Sequence, residues 1–111
     1  EPQTADAWRA RGNDLFRVGQ FASALECYSR SVELQPSCVA YANRAMARLK
    51  LQQWEAAEAD CTDALAHDQS FTKAYHRRGT ARKQMGKTLP AAEDFEEALR
   101  LEPSNAAARS E

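Results

Sequence analysis

Cations and carboxamides spaced four residues apart are the side chains of this sequence that could do chemistry together. Arg9 and Asn13 are four residues apart, as are Lys73 and Arg77, and Asn43 lies between the two pairs along the chain. On a helix, residues four apart project from one face. Asparagine donates to a carboxylate through its amide NH2 group, and lysine or arginine adds charge-assisted hydrogen bonds. If the five side chains converge, they match a chain end that carries two carboxylates, such as a C-terminal aspartate.

Catalytic and metal chemistry find little support in the residue types and spacings. His67 and His76 lack the H-x-x-x-H spacing of a zinc site, and no nucleophile, base and acid are arranged as a triad. The segment Gly86-Lys87-Thr88 imitates the end of a phosphate-binding loop, but Ala81 stands where a glycine is needed, so we interpret it as a turn between helices. We therefore predict no enzyme activity, no catalytic residue, no metal and no cofactor.

One acidic cluster is interpreted as a solvated helix face rather than as an acid/base pair. Its members are Glu93, Asp94, Glu96 and Glu97.

Length and charge limit the class of protein. The chain has 111 residues, 15 Lys and Arg, 16 Asp and Glu, a net charge of −1 and 43% hydrophobic residues, which indicates one soluble globular domain. A near-neutral chain is not the expected binder of nucleic acid or of a membrane surface, and no apolar run approaches the roughly 18 residues of a membrane span. Because the chain begins with Glu1, we expect a monomeric domain excised from a larger protein.

The three cysteines favour a reducing compartment. Cys27, Cys38 and Cys61 form neither a close pair nor a C-x-x-C motif. We predict three reduced thiols packed in or near helices, in the cytosol or the nucleus, and we expect a cytoplasmic location.

Small and aromatic residues recur three times, at offsets of 33 and then 34 residues. The aligned sets are Trp8, Tyr41 and Tyr75; Gly12, Ala45 and Gly79; Ala24, Ala57 and Ala91; and Tyr28, Cys61 and Phe95. Each unit holds two helical patterns, which predict helices over about 5–18, 21–34, 38–51, 54–67, 71–85 and 88–101. Pro36 and Pro103 lie just past helix ends, and Pro90 is tolerable only in a first turn, which makes Thr88 the expected N-cap of the last helix.

This pattern resembles the 34-residue motif of the tetratricopeptide repeat family. The first unit reads Trp8, Gly12, Leu15, Ala24, Tyr28, Ser31 and Pro36, and the likeness covers about residues 5 to 105. The resemblance implies an all-α, right-handed superhelical solenoid of three helix-turn-helix repeats, at about 5–37, 38–71 and 72–105. It also implies that residues 104–111 begin a partial capping helix, and that residues 1–111 form a single domain.

The resemblance places one face of each first helix in a concave groove. That face carries six cations against one anion, Asp6, so its net charge is +5 while the rest of the chain sums to −6. The cations are Arg9, Arg17, Lys50, Lys73, Arg77 and Lys83. The excess of positive charge predicts an anionic ligand.

The five polar residues described first resemble the two-carboxylate clamp of chaperone-binding tetratricopeptide domains. The segments are Arg9-Ala10-Arg11-Gly12-Asn13, Asn43-Arg44-Ala45 and Lys73-Ala74-Tyr75-His76-Arg77. Arg9 stands where the family usually has lysine, which keeps the charge but presents a wider planar head. By this resemblance the ligand is the C-terminal Glu-Glu-Val-Asp tail of heat-shock protein 70 or 90.

The rest of the tail is expected to contact a second set of groove residues: Phe16, Met46, Leu49, Lys50, Thr80 and Lys83. The three apolar members would form a patch for the valine or for the residue before the acidic pair, and the two lysines would pair with the glutamates. Tails with isoleucine or with methionine before the acidic pair both stay open. Residues 70–82 are similar to the repeats of RNA-polymerase-II-associated and sperm-associated-antigen co-chaperones.

Two other functions are compatible with the same residues. A scaffold could use the groove for an internal or helical peptide without a terminal carboxylate. A binder of RNA or anionic lipid could use the positive face without regard to a terminal aspartate.

Overall fold

A computed structural model describes residues 2–103, and in that range the chain forms six α-helices and no strand. The helices are α1 (Ala5–Arg17), α2 (Phe21–Leu34), α3 (Cys38–Lys50), α4 (Trp54–His67), α5 (Thr72–Gln84) and α6 (Thr88–Leu101).

The six helices form three helical hairpins that stack in chain order. Within a hairpin α1 packs on α2, α3 on α4 and α5 on α6, while α2 packs on α3 and α4 on α5 across the hairpin boundaries. The first helices α3 and α5 also contact each other directly. The predicted all-α solenoid of three helix-turn-helix units is therefore confirmed. The predicted capping helix at 104–111 lies outside the described residues.

The turn inside each hairpin ends the first helix one residue earlier than predicted. The residue two positions past the helix adopts the left-handed conformation: Gly19 has φ 84°, Gln52 has φ 60° and Gly86 has φ 79°. The following N–H then bonds back to the carbonyl five residues earlier, at 2.8–2.9 Å, which is the Schellman arrangement of a helix end. Gly86 and Lys87 thus lie in the predicted turn between helices, whereas Thr88 already belongs to α6.

The start of α6 differs from the prediction at one position. Thr88 is the first helical residue, the N-cap is Lys87, and no side chain caps the helix, so the assignment of Thr88 as N-cap is wrong. The physical reason is the preceding turn, because the Lys87 N–H already bonds to the Arg82 carbonyl and closes the turn one residue sooner. Pro90 lies in the first turn of α6, where its missing N–H costs no helical hydrogen bond.

Small residues meet aromatic rings inside the hairpins, as the repeat pattern indicates. A Cβ atom added to Gly12 would lie 2.7 Å from Tyr28 Cε1, and one added to Gly79 would lie 2.8 Å from Phe95 Cε1. In the second hairpin Ala45 and Cys61 take the equivalent places and are both buried. This close approach is what lets paired helices exclude water along their length.

The three cysteines are free thiols, as predicted. Cys27 and Cys61 are buried and Cys38 is half-buried. Burial raises the pKa of both buried thiols, and that of Cys61 rises to about 12.

Two buried carboxylates, which the sequence analysis missed, each join the two helices of one hairpin. Asp60 is 1% exposed and accepts from Arg44 and Arg48, at 2.8–3.1 Å. In the third hairpin Asp94 accepts from two arginines in the same way (Arg78 and Arg82, 2.8–3.0 Å). A buried carboxylate keeps its charge when such donors replace its hydration.

Asp94 is therefore not part of a solvated face. It is 3% exposed, which makes that part of the prediction wrong, whereas Glu93 and Glu96 are exposed as expected and Glu97 pairs with Arg100. The cause is its position on the helix, because Asp94 lies on the side of α6 that faces α5, where Arg78 and Arg82 donate to it.

No helix among residues 2–103 has the length and apolar character needed to cross a bilayer.

Candidate functional site

The five predicted clamp residues all lie on first helices of the hairpins. Arg9 and Asn13 are on α1, Asn43 is on α3, and Lys73 and Arg77 are on α5. The helices α3 and α5 contact each other directly, which brings Asn43 onto a helix packed against the one that carries Lys73 and Arg77. The fold thus brings three of the five residues onto two helices in contact, although 30 positions separate Asn43 from Lys73.

Arg77 reaches from α5 across to α3. Its guanidinium donates to the backbone carbonyl of Ala42 at 3.2 Å and contacts the Met46 sulfur at 3.5 Å. Among residues 2–103 it has no carboxylate partner. Burial lowers the pKa of Arg77, although arginine stays protonated in proteins. The half-buried cation is therefore left with donors for an anion that the described chain does not supply.

Asn13 on α1 is held by a hydrogen bond from Tyr28 on α2. The Tyr28 hydroxyl, which is 0% exposed, donates to Asn13 Oδ1 at 2.6 Å. Tyr28 also lies close enough to Arg77 for the positive charge to favour its ionised form, although burial is the larger effect and raises the pKa of the hydroxyl. A hydrogen bond therefore joins α1 to α2 at one buried hydroxyl group, on which the charge of Arg77 also acts.

Among residues 2–103, no hydrogen bond or ion pair joins any two of the five clamp residues. Asn43 is half-buried and follows Ala42, whose carbonyl accepts from Arg77. Lys73 is exposed on α5, one turn before Arg77. Arg9 forms an ion pair with Asp6 at 3.2 Å, with side chains 37% and 81% exposed. So exposed a pair contributes about 0–1 kcal/mol, and Arg9 can exchange Asp6 for another anion at small cost.

The predicted apolar patch divides between two parts of the core. Phe16 and Met46 pack against the cluster that contains Tyr28, whereas Leu49 packs against the cluster that contains Cys61. Each of the three is half-buried.

The polar members of the second set lie at separate places on α3 and α5. Lys50 Nζ lies 5.8 Å from the centroid of the Phe21 ring, and that ring packs edge-on against Phe16. The Thr80 hydroxyl donates to the carbonyl of His76 at 3.0 Å. Lys83 is exposed near the end of α5.

The arginines of the first helices fall into two groups, those with a carboxylate partner and those without one, which the sequence alone did not distinguish. Arg44, Arg48, Arg78 and Arg82 are each neutralised by a buried or half-buried carboxylate. Arg77, which is adjacent to Arg78 in sequence, has no such carboxylate in the part of the chain that the structure describes. A signal for the first group was present, because an arginine precedes an aspartate by 16 residues in both the second and the third repeat. For the role of the Tyr28 hydroxyl the sequence offered no signal beyond its aromatic repeat position.

No group of three His, Cys, Asp or Glu side chains in the described part of the chain is arranged to hold a metal ion.

Relatives of known sequence match the whole chain. Two family models described as tetratricopeptide repeat match residues 5–38 and residues 72–105. RNA polymerase II-associated protein 3 from Homo sapiens is 46% identical over 112 residues, which cover all of this chain and 17% of that protein. Sperm-associated antigen 1 from Mus musculus is 39% identical over 101 residues, which cover 91% of this chain and 11% of that protein. The chain thus spans a small part of the length of these relatives.

Solved structures with the same fold contain bound peptides. The second tetratricopeptide domain of the human RPAP3 protein, in complex with the HSP70 peptide SGPTIEEVD, superposes with a TM-score of 0.91 at 46% identity and covers 96% of this chain and 89% of that one. The first such domain of Spaghetti (RPAP3), bound to the HSP90 peptide SRMEEVD, gives 0.95 at 38% identity and covers 99% and 88%. With a match of this extent, and with three stacked helical hairpins of the repeat, the chain belongs to the tetratricopeptide repeat family.

Proposed function

We propose that this domain binds the free C-terminal Glu-Glu-Val-Asp tails of heat-shock proteins 70 and 90. In this proposal Arg9, Asn13, Asn43, Lys73 and Arg77 hold the two carboxylates of the terminal aspartate. The domain acts as a peptide-binding co-chaperone module within a larger protein, without catalysis of its own. Its cytoplasmic location stays a prediction, based on the reduced cysteines.

The observation that carries the proposal is that the Arg77 guanidinium has no carboxylate partner among residues 2–103. A half-buried cation without a carboxylate partner costs desolvation energy that a ligand carboxylate would repay. Four other half-buried arginines of the described chain are neutralised by Asp60, Asp94 or Glu58. We infer that Arg77 is left without an anion because its anion comes from the ligand.

The solved relatives support the choice of ligand. The human RPAP3 domain is described with an HSP70 peptide that ends in IEEVD, and the Spaghetti domain with an HSP90 peptide that ends in MEEVD. Both peptides share the four terminal residues, and they differ in whether isoleucine or methionine precedes them. By analogy we propose that the domain accepts both tails, with Phe16 and Met46 as the apolar surface nearest the clamp.

The expected affinity is modest. Each charge-assisted hydrogen bond contributes about 1.5–3 kcal/mol, and the cost of ordering a flexible tail removes much of the sum. We expect a dissociation constant on the order of 1 μM. Because charges dominate the contact, affinity should fall as salt is added.

Calorimetric titration of the two peptides SGPTIEEVD and SRMEEVD, each with a free and with an amidated C-terminus, tests the proposal. Wild type should bind the free acids and lose most of that affinity when the terminus is amidated. Arg77→Ala and Lys73→Ala should each weaken binding of the free acids by tenfold or more. Arg100→Ala is the matched control, because it removes the same charge from an exposed arginine that pairs with Glu97 on α6.

Two results would contradict the proposal. Equal affinity for free and amidated peptides would mean that the groove holds an internal peptide without reading a chain end. Binding by Arg77→Ala and Lys73→Ala at wild-type strength would show that the clamp residues are wrongly assigned.

A further inference from the structure

We infer that Tyr28 is a positioning residue, which holds the Asn13 side chain with its NH2 group toward the ligand and so makes the site selective for a carboxylate. The inference rests on the proposed function, because it assigns a direction to one of the proposed clamp residues. Tyr28 itself touches no ligand in this arrangement.

The hydrogen bond between the two residues fixes which way the amide points. The Tyr28 hydroxyl has one proton, and it donates that proton to Asn13 Oδ1 at 2.6 Å. If the amide were turned over, its NH2 group would face the hydroxyl, and the buried hydroxyl proton would lose its acceptor. An unsatisfied buried donor is costly, so the turned-over amide is disfavoured. The NH2 group of Asn13 is therefore directed away from Tyr28.

Arg77 reinforces the same direction. A guanidinium has donors only, and the positive charge of Arg77 acts on the Tyr28 hydroxyl, where it opposes the larger effect of burial on the pKa. A cation disfavours a hydroxyl proton turned toward it, which agrees with the donation of that proton to Asn13 Oδ1. Because burial raises the pKa of Tyr28, the hydroxyl keeps its proton at neutral pH and stays a donor.

The Tyr28 ring is held where it can make this bond. A Cβ atom on Gly12 would lie 2.7 Å from Tyr28 Cε1, so the ring fills the space against α1 and has little room to move. The anchored ring places its hydroxyl beside Asn13, the next residue along α1. The amide is thus oriented by a group that the core itself keeps in place.

Packing alone does not account for the hydroxyl. The residues at the same repeat position are Cys61 and Phe95, neither of which has a hydroxyl group, and both are buried. At the position of Asn13 the other repeats have Met46 and Thr80. Only the first of the three repeats therefore combines a tyrosine with an asparagine, and the two polar groups bond to each other.

Tyr28→Phe tests the inference, because it keeps the ring and removes only the hydroxyl. We expect the free-acid peptide SRMEEVD to bind roughly fivefold to tenfold more weakly, since the amide can then turn over. The ratio of affinities for free and amidated peptide should fall as well, which a purely structural role would not produce. Tyr75→Phe is the matched control: it removes a hydroxyl that donates to the Gln69 carbonyl at 3.0 Å, and its affinity should equal that of wild type.

The outcomes distinguish this inference from the proposed function. If wild type does not bind the free-acid peptide more tightly than the amidated peptide, the proposed function fails. If wild type binds and folded Tyr28→Phe binds equally well, with the same ratio for free and amidated peptide, only the positioning role is overturned.

A second measurement on wild type covers the case in which Tyr28→Phe does not fold. The side-chain NH2 resonances of Asn13 should shift when the free-acid peptide is added and stay in place with the amidated peptide. Resonances that ignore the free acid would overturn the inference.

Discussion

The guanidinium of Arg77 on α5 donates a hydrogen bond of 3.2 Å to the backbone carbonyl of Ala42 on α3. Its neighbour in sequence, Arg78, instead forms two hydrogen bonds of 3.0 and 2.8 Å with Asp94 on α6. Consecutive helical residues point about 100° apart, so the two arginines face different helices. The guanidinium of Arg78 is neutralised inside its own hairpin. The guanidinium of Arg77 instead bonds to α3 and has no carboxylate partner among residues 2–103.

Replacing Arg77 with lysine should weaken peptide binding although the charge is kept. A lysine ammonium is a point charge without the planar fork, so it cannot bond to Ala42 and to a carboxylate in the same geometry. We expect Arg77→Lys to bind the free-acid peptide roughly tenfold more weakly, by calorimetry, with a cooperative thermal transition like that of wild type. Arg100→Lys, the matched exposed change, should bind normally. Wild-type affinity in Arg77→Lys would show that charge alone is needed there.

Removing the charge of a buried aspartate should destabilise the domain, and the two sites should differ. In Asp60→Asn the described chain offers Arg44 and Arg48 no second carboxylate, whereas in Asp94→Asn Arg82 still bonds to Glu58 at 2.8 Å. Breaking a buried ion pair costs about 3–5 kcal/mol. We expect Asp60→Asn at the upper end of that range and Asp94→Asn at the lower end, by urea denaturation.

The exposed Glu93 provides the comparison for both aspartates. Glu93→Gln removes the same charge from the solvent face of α6 and should stay within about 0.5 kcal/mol of wild type. A larger loss from Glu93→Gln than from Asp94→Asn would contradict the assignment of Asp94 to the core.

Adding a methyl group at Gly79 should force the third hairpin apart. The new Cβ atom would lie 2.8 Å from Phe95 Cε1, and the ring is buried against it. Overpacking of this kind costs about 1–3 kcal/mol of unfolding free energy. The double variant with Phe95→Leu should lose less stability than the two single changes add up to, because the smaller side chain makes room. Simple additivity in thermal unfolding would argue against a direct clash.

Alkaline pH should destabilise the domain in part through Cys61. Burial raises the folded pKa of this thiol from an ordinary value of 9.0 to about 12, so between these values the folded state holds a proton that the unfolded state releases. The contribution of the group is therefore fully present below pH 9 and is lost as pH rises toward 12. Each affected pH unit costs at most about 1.4 kcal/mol.

Cys61→Ala isolates that contribution. It should be less stable than wild type at pH 7, because a buried side chain becomes smaller, but its unfolding free energy should fall less steeply between pH 9 and pH 10.5. Parallel curves for the two proteins, measured by denaturant unfolding, would show that Cys61 does not titrate in this way.

The sequence by itself determined the repeat and most of the helix ends. The offsets of 33 and 34 residues and the recurrence of small and aromatic positions follow from local helical periodicity and from side-chain size, which the chain carries directly. The helices α2, α4 and α6 span the predicted ranges. The other three start or end a residue or so differently, because a left-handed residue or an extended cap sets each boundary.

Only the tertiary structure decided which charged side chains form ion pairs within the domain and which do not. Arg77 and Arg78 look alike in the sequence, yet Arg78 bonds to Asp94 whereas Arg77 has no carboxylate partner among residues 2–103. Glu93 and Asp94 look alike as well, yet Glu93 is exposed and Asp94 is buried. The direction of the Asn13 amide likewise depends on a hydroxyl 15 residues away. Burial and ion pairing arise between groups that different helices bring together. The neighbours that stabilise each charged side chain therefore cannot be identified from the local sequence.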